Sequence, residues 1–126
     1  MNEKQLLIIG CGGIGSRHLE SLCKIDIPVN IFAVDISEKS LNNAQKLVTG
    51  ITNSNIKSLK FSKELPNEIN KFDLCIIATS SNVRLNVLNN LISKYFIKNL
   101  ILEKVLFQSI KELDEAKTII SKNNIN

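Results

Sequence analysis

The run Gly10-Cys11-Gly12-Gly13-Ile14-Gly15 constrains this chain more than any other stretch, because of what flanks it. An apolar, strand-like segment precedes it, Leu6-Leu7-Ile8-Ile9, and a helical pattern follows from Ser16 to Leu22. A second apolar run, Asn30 to Val34, then ends on an acid, Asp35, about twenty residues past Gly15. Strand, glycine turn, helix, strand and acid in this order predict a βαβ unit shaped to receive a dinucleotide.

Each position has a physical reason. Gly10 lets the chain turn sharply out of the first strand, where a Cβ would obstruct the dihedrals. Gly12 leaves room for a pyrophosphate to approach the backbone, and Gly15 lets the first helix sit close on the sheet. Gly13 and Ile14 complete the cofactor loop. The unpaired N–H groups of the first helical turn, with the helix dipole, favour an anion there. The Asp35 carboxylate can accept hydrogen bonds from both ribose hydroxyls of an adenosine half. Its charge repels a 2′-phosphate, and Ile36-Ser37-Glu38 offers no arginine to receive one, so NAD is favoured over NADP. The bland alternative is that Asp35 is a loop acid capping the next helix. Ser37 is the better cap, since Ser37-Glu38-Lys39 opens a helical run in the right order.

The rest of the chain alternates. Ser37 to Val48 reads as a helix, Ile56 to Phe61 as a weaker strand, and a polar segment broken at Pro66 follows. Phe72 to Ala78 is almost continuously apolar, as a central parallel strand buried on both faces must be. Asn82 to Tyr95 carries Val83, Val87, Leu88, Leu91 and Ile92 at helical spacing. Asn99 to Leu102 reads as a strand and Ile110 to Ile120 as an amphipathic helix. This alternation predicts an α/β fold: a Rossmann-type doubly wound parallel sheet with right-handed crossovers, forming one domain over 1–126.

In such a sheet the carboxyl ends of the strands line the ligand crevice. Three segments should meet there: the glycine loop, Ala78-Thr79-Ser80-Ser81-Asn82, and Glu103-Lys104. Hydroxyls at Thr79 and Ser80 are candidate cofactor contacts, and one of Thr79, Ser80 and Ser81 should cap the next helix. A lysine at a strand end can donate a proton or clamp a substrate if its pKa is lowered. Read alone, Glu103-Lys104 is a solvated surface pair.

Composition excludes several classes of function. The net charge of +4 is modest, and no basic stripe interleaved with aromatics suggests a nucleic-acid partner. The apolar runs are strand length, far short of a membrane span. The first strand begins almost at once, which leaves no room for a secretion signal, so a cytoplasmic protein is expected. Cys11, Cys23 and Cys75 lack metal-ligand spacing. His18, the single histidine, has no companion ligand; a packing or cofactor-side role is expected of it and no metal site.

Together, Gly10-Cys11-Gly12-Gly13-Ile14-Gly15-Ser16-Arg17-His18, Ala33-Val34-Asp35, Ile76-Ile77-Ala78-Thr79-Ser80 and Leu102-Glu103-Lys104 resemble the glucose–fructose oxidoreductase/inositol dehydrogenase family, Gfo/Idh/MocA. The resemblance spans nearly the whole chain in the family's order. It implies a first domain that binds NAD or NADP, with Glu103 a nicotinamide-side contact and Lys104 the catalytic lysine near the reacting hydroxyl. It implies hydride transfer on a sugar, cyclitol or sugar nucleotide. The sequence departs from the family pattern at Val105 and Ser80, where proline is usual, and at Arg84-Leu85, where many members carry a histidine. Family members continue into a second, substrate-binding domain. The expectation is therefore a cofactor domain whose customary last strand and C-terminal substrate domain are missing, without turnover of its own. An open edge on the fifth strand would then invite a homo-oligomer. Two other readings stand beside this one. A non-catalytic NAD(H)-binding or sensing module would act through a partner. A methyltransferase-like domain binding S-adenosylmethionine ranks lower, because no adenine-contacting acidic loop precedes Pro66.

Overall fold

The computed structural model describes residues 2–126. Strands and helices alternate as β1 (Lys4–Ile9), α1 (Gly13–Leu22), β2 (Val29–Val34), α2 (Glu38–Val48), β3 (Ile56–Ser62), β4 (Lys71–Ile77), α3 (Ser81–Lys94), β5 (Phe96–Leu102) and α4 (Ile110–Lys122). The strands form one parallel sheet in the order β3-β2-β1-β4-β5. The chain reverses its direction of travel across the sheet between β1 and β4. That switch point opens a crevice at the carboxyl ends of the strands.

Hydrophobic patterning decides which strands lie inside. β1, β2 and β4 end in runs of buried residues, whereas the outer strands β3 and β5 alternate with exposed positions. Two apolar layers result. On one face Leu19 and Leu22 of α1 and Leu41, Ala44 and Val48 of α2 cover Leu6, Ile8, Ile31 and Ala33. On the other face Leu88 and Leu91 of α3 and Ala116 of α4 cover Leu7, Ile9, Cys75 and Ile77.

The β3–β4 connection has no helix, as the polar segment around Pro66 implies. Leu65 and Ile69 pack instead against the second layer, and the Tyr95 hydroxyl donates to the Pro66 carbonyl at 2.6 Å. Tyr95 also stacks edge-to-face on Phe72, which meets Phe32 in the same way, with centroids 4.9 and 5.7 Å apart.

Two details differ from the sequence expectation. β5 starts at Phe96, three residues before Asn99, because α3 stops at Lys94 and Tyr95 is extended. The Phe96 N–H then donates to the Asn70 carbonyl at 2.8 Å, and the ladder with β4 claims a segment that patterning on an edge strand conceals. The β5 edge is also less open than expected. Asn126 N–H donates to the Lys98 carbonyl at 3.0 Å, and its own carbonyl accepts the Leu100 N–H at 2.8 Å, the pattern of a parallel bridge. Among the described residues, no helix is long and apolar enough to cross a membrane.

Candidate dinucleotide site

Main-chain bonds carry the sheet past its formal strand ends and align the site. The Gly10 N–H donates to the Val34 carbonyl at 2.9 Å, and the Ala78 N–H to the Ile9 carbonyl at 2.8 Å. The Asp35 N–H reaches the Ser62 carbonyl and the Glu103 N–H the Ile77 carbonyl, each at 3.2 Å. The glycine loop, Asp35, Ala78-Thr79 and Glu103 therefore stand in one row along the end of the sheet.

Two glycines are required by local space. Gly10 has φ +93°, and a Cβ there would lie 2.7 Å from the Ala78 carbonyl carbon. A Cβ on Gly15 would lie 1.8 Å from the Gly10 carbonyl oxygen, so α1 can sit this close to the turn only without one. Gly12 and Gly13 differ in kind. Nothing lies within 4 Å of where their Cβ atoms would be, which leaves the loop open on its outer side. Gly12 is the N-cap of α1 and brings no side chain to the first-turn N–H groups.

Asp35 is tied to the same loop. Its Oδ2 accepts the Cys11 N–H at 2.7 Å and its Oδ1 the Ser37 N–H at 2.8 Å. A carboxylate has about four lone-pair sites, so each oxygen keeps capacity for a further donor. Ser37 caps α2 as the sequence predicts, its hydroxyl accepting the Ser40 N–H at 3.2 Å. Ile36 is 86 % exposed beside the crevice. A crevice of about 480 Å³ brings together Gly10, Gly12, Asp35, Ile36, Ala78, Thr79, Ser80, Val83 and Val87. Val83 thus faces this space, not the core that its spacing suggests.

The hydroxyls after β4 do not cap α3. Ser80 occupies the N-cap position, but its hydroxyl hydrogen-bonds Asn82 Oδ1 at 2.6 Å, and the Val83 N–H uses the Ser80 main-chain carbonyl at 3.4 Å. The expected cap is therefore absent, because Asn82 and the main chain take both ends of the interaction. The Thr79 hydroxyl is buried and has no partner among the described residues.

Glu103 and Lys104 sit apart from that crevice. The Glu103 carboxylate is hydrogen-bonded to His18 Nε2 on α1, which holds its carboxyl below the usual carboxylate range. Lys104 is exposed and lines a neighbouring groove of about 550 Å³ with Val105, Leu106, Phe107 and Ile110. The Lys104–Val105 peptide is cis. Cys11 lies in the glycine loop but is buried, and burial together with the Asp35 charge pushes its thiol up to about 12. It is not a nucleophile at neutral pH.

Sequence reasoning missed Arg84. It is 1 % exposed and donates from Nη1 to the carbonyls of Glu103, Val105 and Leu106, and from Nη2 to that of Thr79. A signal was available: Arg84 shares the i, i+4, i+7 row with Leu88 and Leu91, the buried face of α3.

A glycine turn opening a helix at the switch point, with a strand-end carboxylate bonded to that turn, is the arrangement of a Rossmann-type nucleotide-binding domain. The comparison with known families agrees: the sequence model described as Shikimate / quinate 5-dehydrogenase matches residues 1–107, and the chain belongs to that family. No curated protein sequence matches it. Among solved structures it is similar to GenD2 from gentamicin A biosynthesis in complex with NAD, at 14 % identity and TM-score 0.70, covering 99 % of this chain and 33 % of that one. It is similar to myo-inositol 2-dehydrogenase from Lactobacillus plantarum, at 18 % identity and TM-score 0.70, covering 97 % and 34 %. Trichomonas vaginalis lactate dehydrogenase, in complex with NADH and oxamate, aligns at 14 % identity and TM-score 0.71, covering 97 % and 43 %. At these identities the likeness concerns the fold. The chain spans about a third of the length of the first two of these structures.

Proposed function

We propose that this chain is the NAD(H)-binding domain of an oxidoreductase that transfers a hydride to or from a sugar, cyclitol or sugar nucleotide, as Gfo/Idh/MocA enzymes do. The observation that carries the cofactor half of this reading is the open backbone at Gly12 and Gly13 beside a carboxylate bonded to the same loop. The residues fit the group. The uncapped start of α1 receives the pyrophosphate, Asp35 accepts the adenosine ribose hydroxyls, and Ile36 offers an exposed apolar surface to the adenine. The Asp35 charge disfavours a 2′-phosphate, so NAD is preferred over NADP. When bound, the cofactor would supply the hydride acceptor or donor; by the family resemblance, Thr79, Ser80 and Glu103 would serve its nicotinamide half and Lys104 would handle the substrate proton.

The myo-inositol 2-dehydrogenase among the similar structures supports the cyclitol part of this substrate class. Calorimetric titration with NAD, NADH, NADP and S-adenosylmethionine tests the reading. Binding of NAD or NADH, weaker binding of NADP and none of S-adenosylmethionine are expected. A folded chain that binds no dinucleotide, or one that prefers NADP, would overturn it.

A further inference from the structure

Arg84 is a buried cation without a carboxylate within salt-bridge distance among the described residues. Burial lowers its pKa, and the nearby Glu103 charge opposes that shift. A guanidinium taken out of water needs its donors used. Here Nη1 and Nη2 are spent on main-chain oxygens from two loops, Thr79 after β4 and Glu103, Val105 and Leu106 after β5, while Nε is buried without a partner among the described residues. One nitrogen, Nη1, binds the carbonyls on both sides of Lys104, at Glu103 and at Val105. The bracketed segment is also held by His18 through the Glu103 side chain and by Ile77 through the Glu103 N–H.

We infer that Arg84 is a positioning residue: its side chain fixes the Glu103–Leu106 backbone against the end of β4 and so sets the aim of Glu103 and Lys104 at the reacting half of the cofactor. The inference rests on the NAD(H)-binding reading above. The five N–H donors and planar fork of arginine suit this task, because several carbonyls at different angles must be engaged from one stem. A lysine has the charge but gathers fewer of them.

The experiment compares two probes on one protein. ADP-ribose reports the adenosine and pyrophosphate half alone; NADH adds the nicotinamide, whose fluorescence reports its own surroundings. In the parent chain NADH is expected to bind with a fluorescence change. Arg84→Lys should leave ADP-ribose affinity within about twofold while weakening NADH about tenfold and diminishing its fluorescence change, the scale of losing charged hydrogen bonds. Arg84→Met should do the same more strongly; if it does not fold, Arg84→Lys, which keeps the charge, carries the test. Equal losses for both probes, or no loss for either, overturn the positioning role. Failure of the parent to bind ADP-ribose at all is a different result, and it removes the NAD(H)-binding reading itself.

Discussion

The Asp35 carboxylate holds the Cys11 N–H at 2.7 Å, so the acid at the end of β2 and the glycine loop after β1 form one unit. Removing the acid must then act twice. Asp35→Ala is expected to weaken NAD binding by about 1.5–3 kcal/mol, the scale of hydrogen bonds to a charged group. It should also lower stability by about 1–3 kcal/mol, because the Cys11 and Ser37 N–H groups lose their acceptor. Calorimetry with NAD and NADP, beside urea unfolding, separates the effects. A stability loss with unchanged NAD affinity would make Asp35 a capping residue only.

Gly12→Val is the complementary change. Gly12 has φ −72°, a value any residue adopts, and open space where the new side chain would go. The variant should fold with nearly the parent's melting temperature and lose dinucleotide binding, since the valine fills the pyrophosphate's approach. Undiminished NAD affinity in a folded Gly12→Val chain would show that the cofactor does not use this loop.

Gly15→Ala should behave in the opposite way. The added Cβ would lie 1.8 Å from the Gly10 carbonyl oxygen, a backbone atom that can move only if α1 shifts off the sheet. Overpacking of this kind costs about 1–3 kcal/mol and sometimes more. Chemical denaturation that finds Gly15→Ala as stable as the parent would mean that α1 is not seated this closely.

The contrast between these glycines explains how much the sequence could disclose. The strand–turn–helix pattern around Gly10, Gly12 and Gly15 is local, and so is the Ser37 cap of α2; both are written in a few consecutive residues. The parallel sheet follows from the alternation of apolar runs with amphipathic helices. What stayed hidden depends on partners far away in the chain. His18 meets Glu103 across 85 positions, and nothing near either residue announces the other. Arg84 shares the buried row of α3 with Leu88 and Leu91, but the carbonyls that hold it, of Thr79, Glu103, Val105 and Leu106, come from loops that only the fold brings together. Thr79, Ser80 and Ser81 each had the chemistry of a cap, but Asn82 competes for Ser80 and burial removes Thr79. The position of Lys104, in the groove beside Val105 and Leu106 and outside the crevice with Asp35, is likewise a property of the folded loop.

The His18–Glu103 contact gives stability an acid dependence. The His18 hydrogen bond lowers the folded-state pKa of Glu103 below its unfolded value. Such a carboxylate contributes stability that is present above the unfolded value and lost as pH falls through the folded one. The melting temperature should therefore drop as pH falls below about 4.5, and Glu103→Gln should flatten part of that drop. His18→Ala should flatten the same part, since both variants remove one contact. Acid limbs identical to the parent's in both variants would show that the contact is not formed in solution.

The cysteines set the alkaline side. Burial raises all three thiols, Cys11 to about 12 with a further push from the Asp35 charge, and Cys23 and Cys75 in the same direction. A group whose folded pKa is raised contributes stability that is present below the unfolded value and lost as pH rises through the folded one. Stability should thus decline as pH climbs above about 9, the ordinary thiol value, where the unfolded chain ionises first. The same protonation predicts chemistry at neutral pH. Ellman's reagent, which needs a thiolate, should label none of the three rapidly in the native chain and all three in urea. Rapid native labelling of Cys11 would show that the glycine loop opens in solution, and Asp35 would then be the first contact to re-examine, because its bond to the Cys11 N–H is what closes that loop against β2.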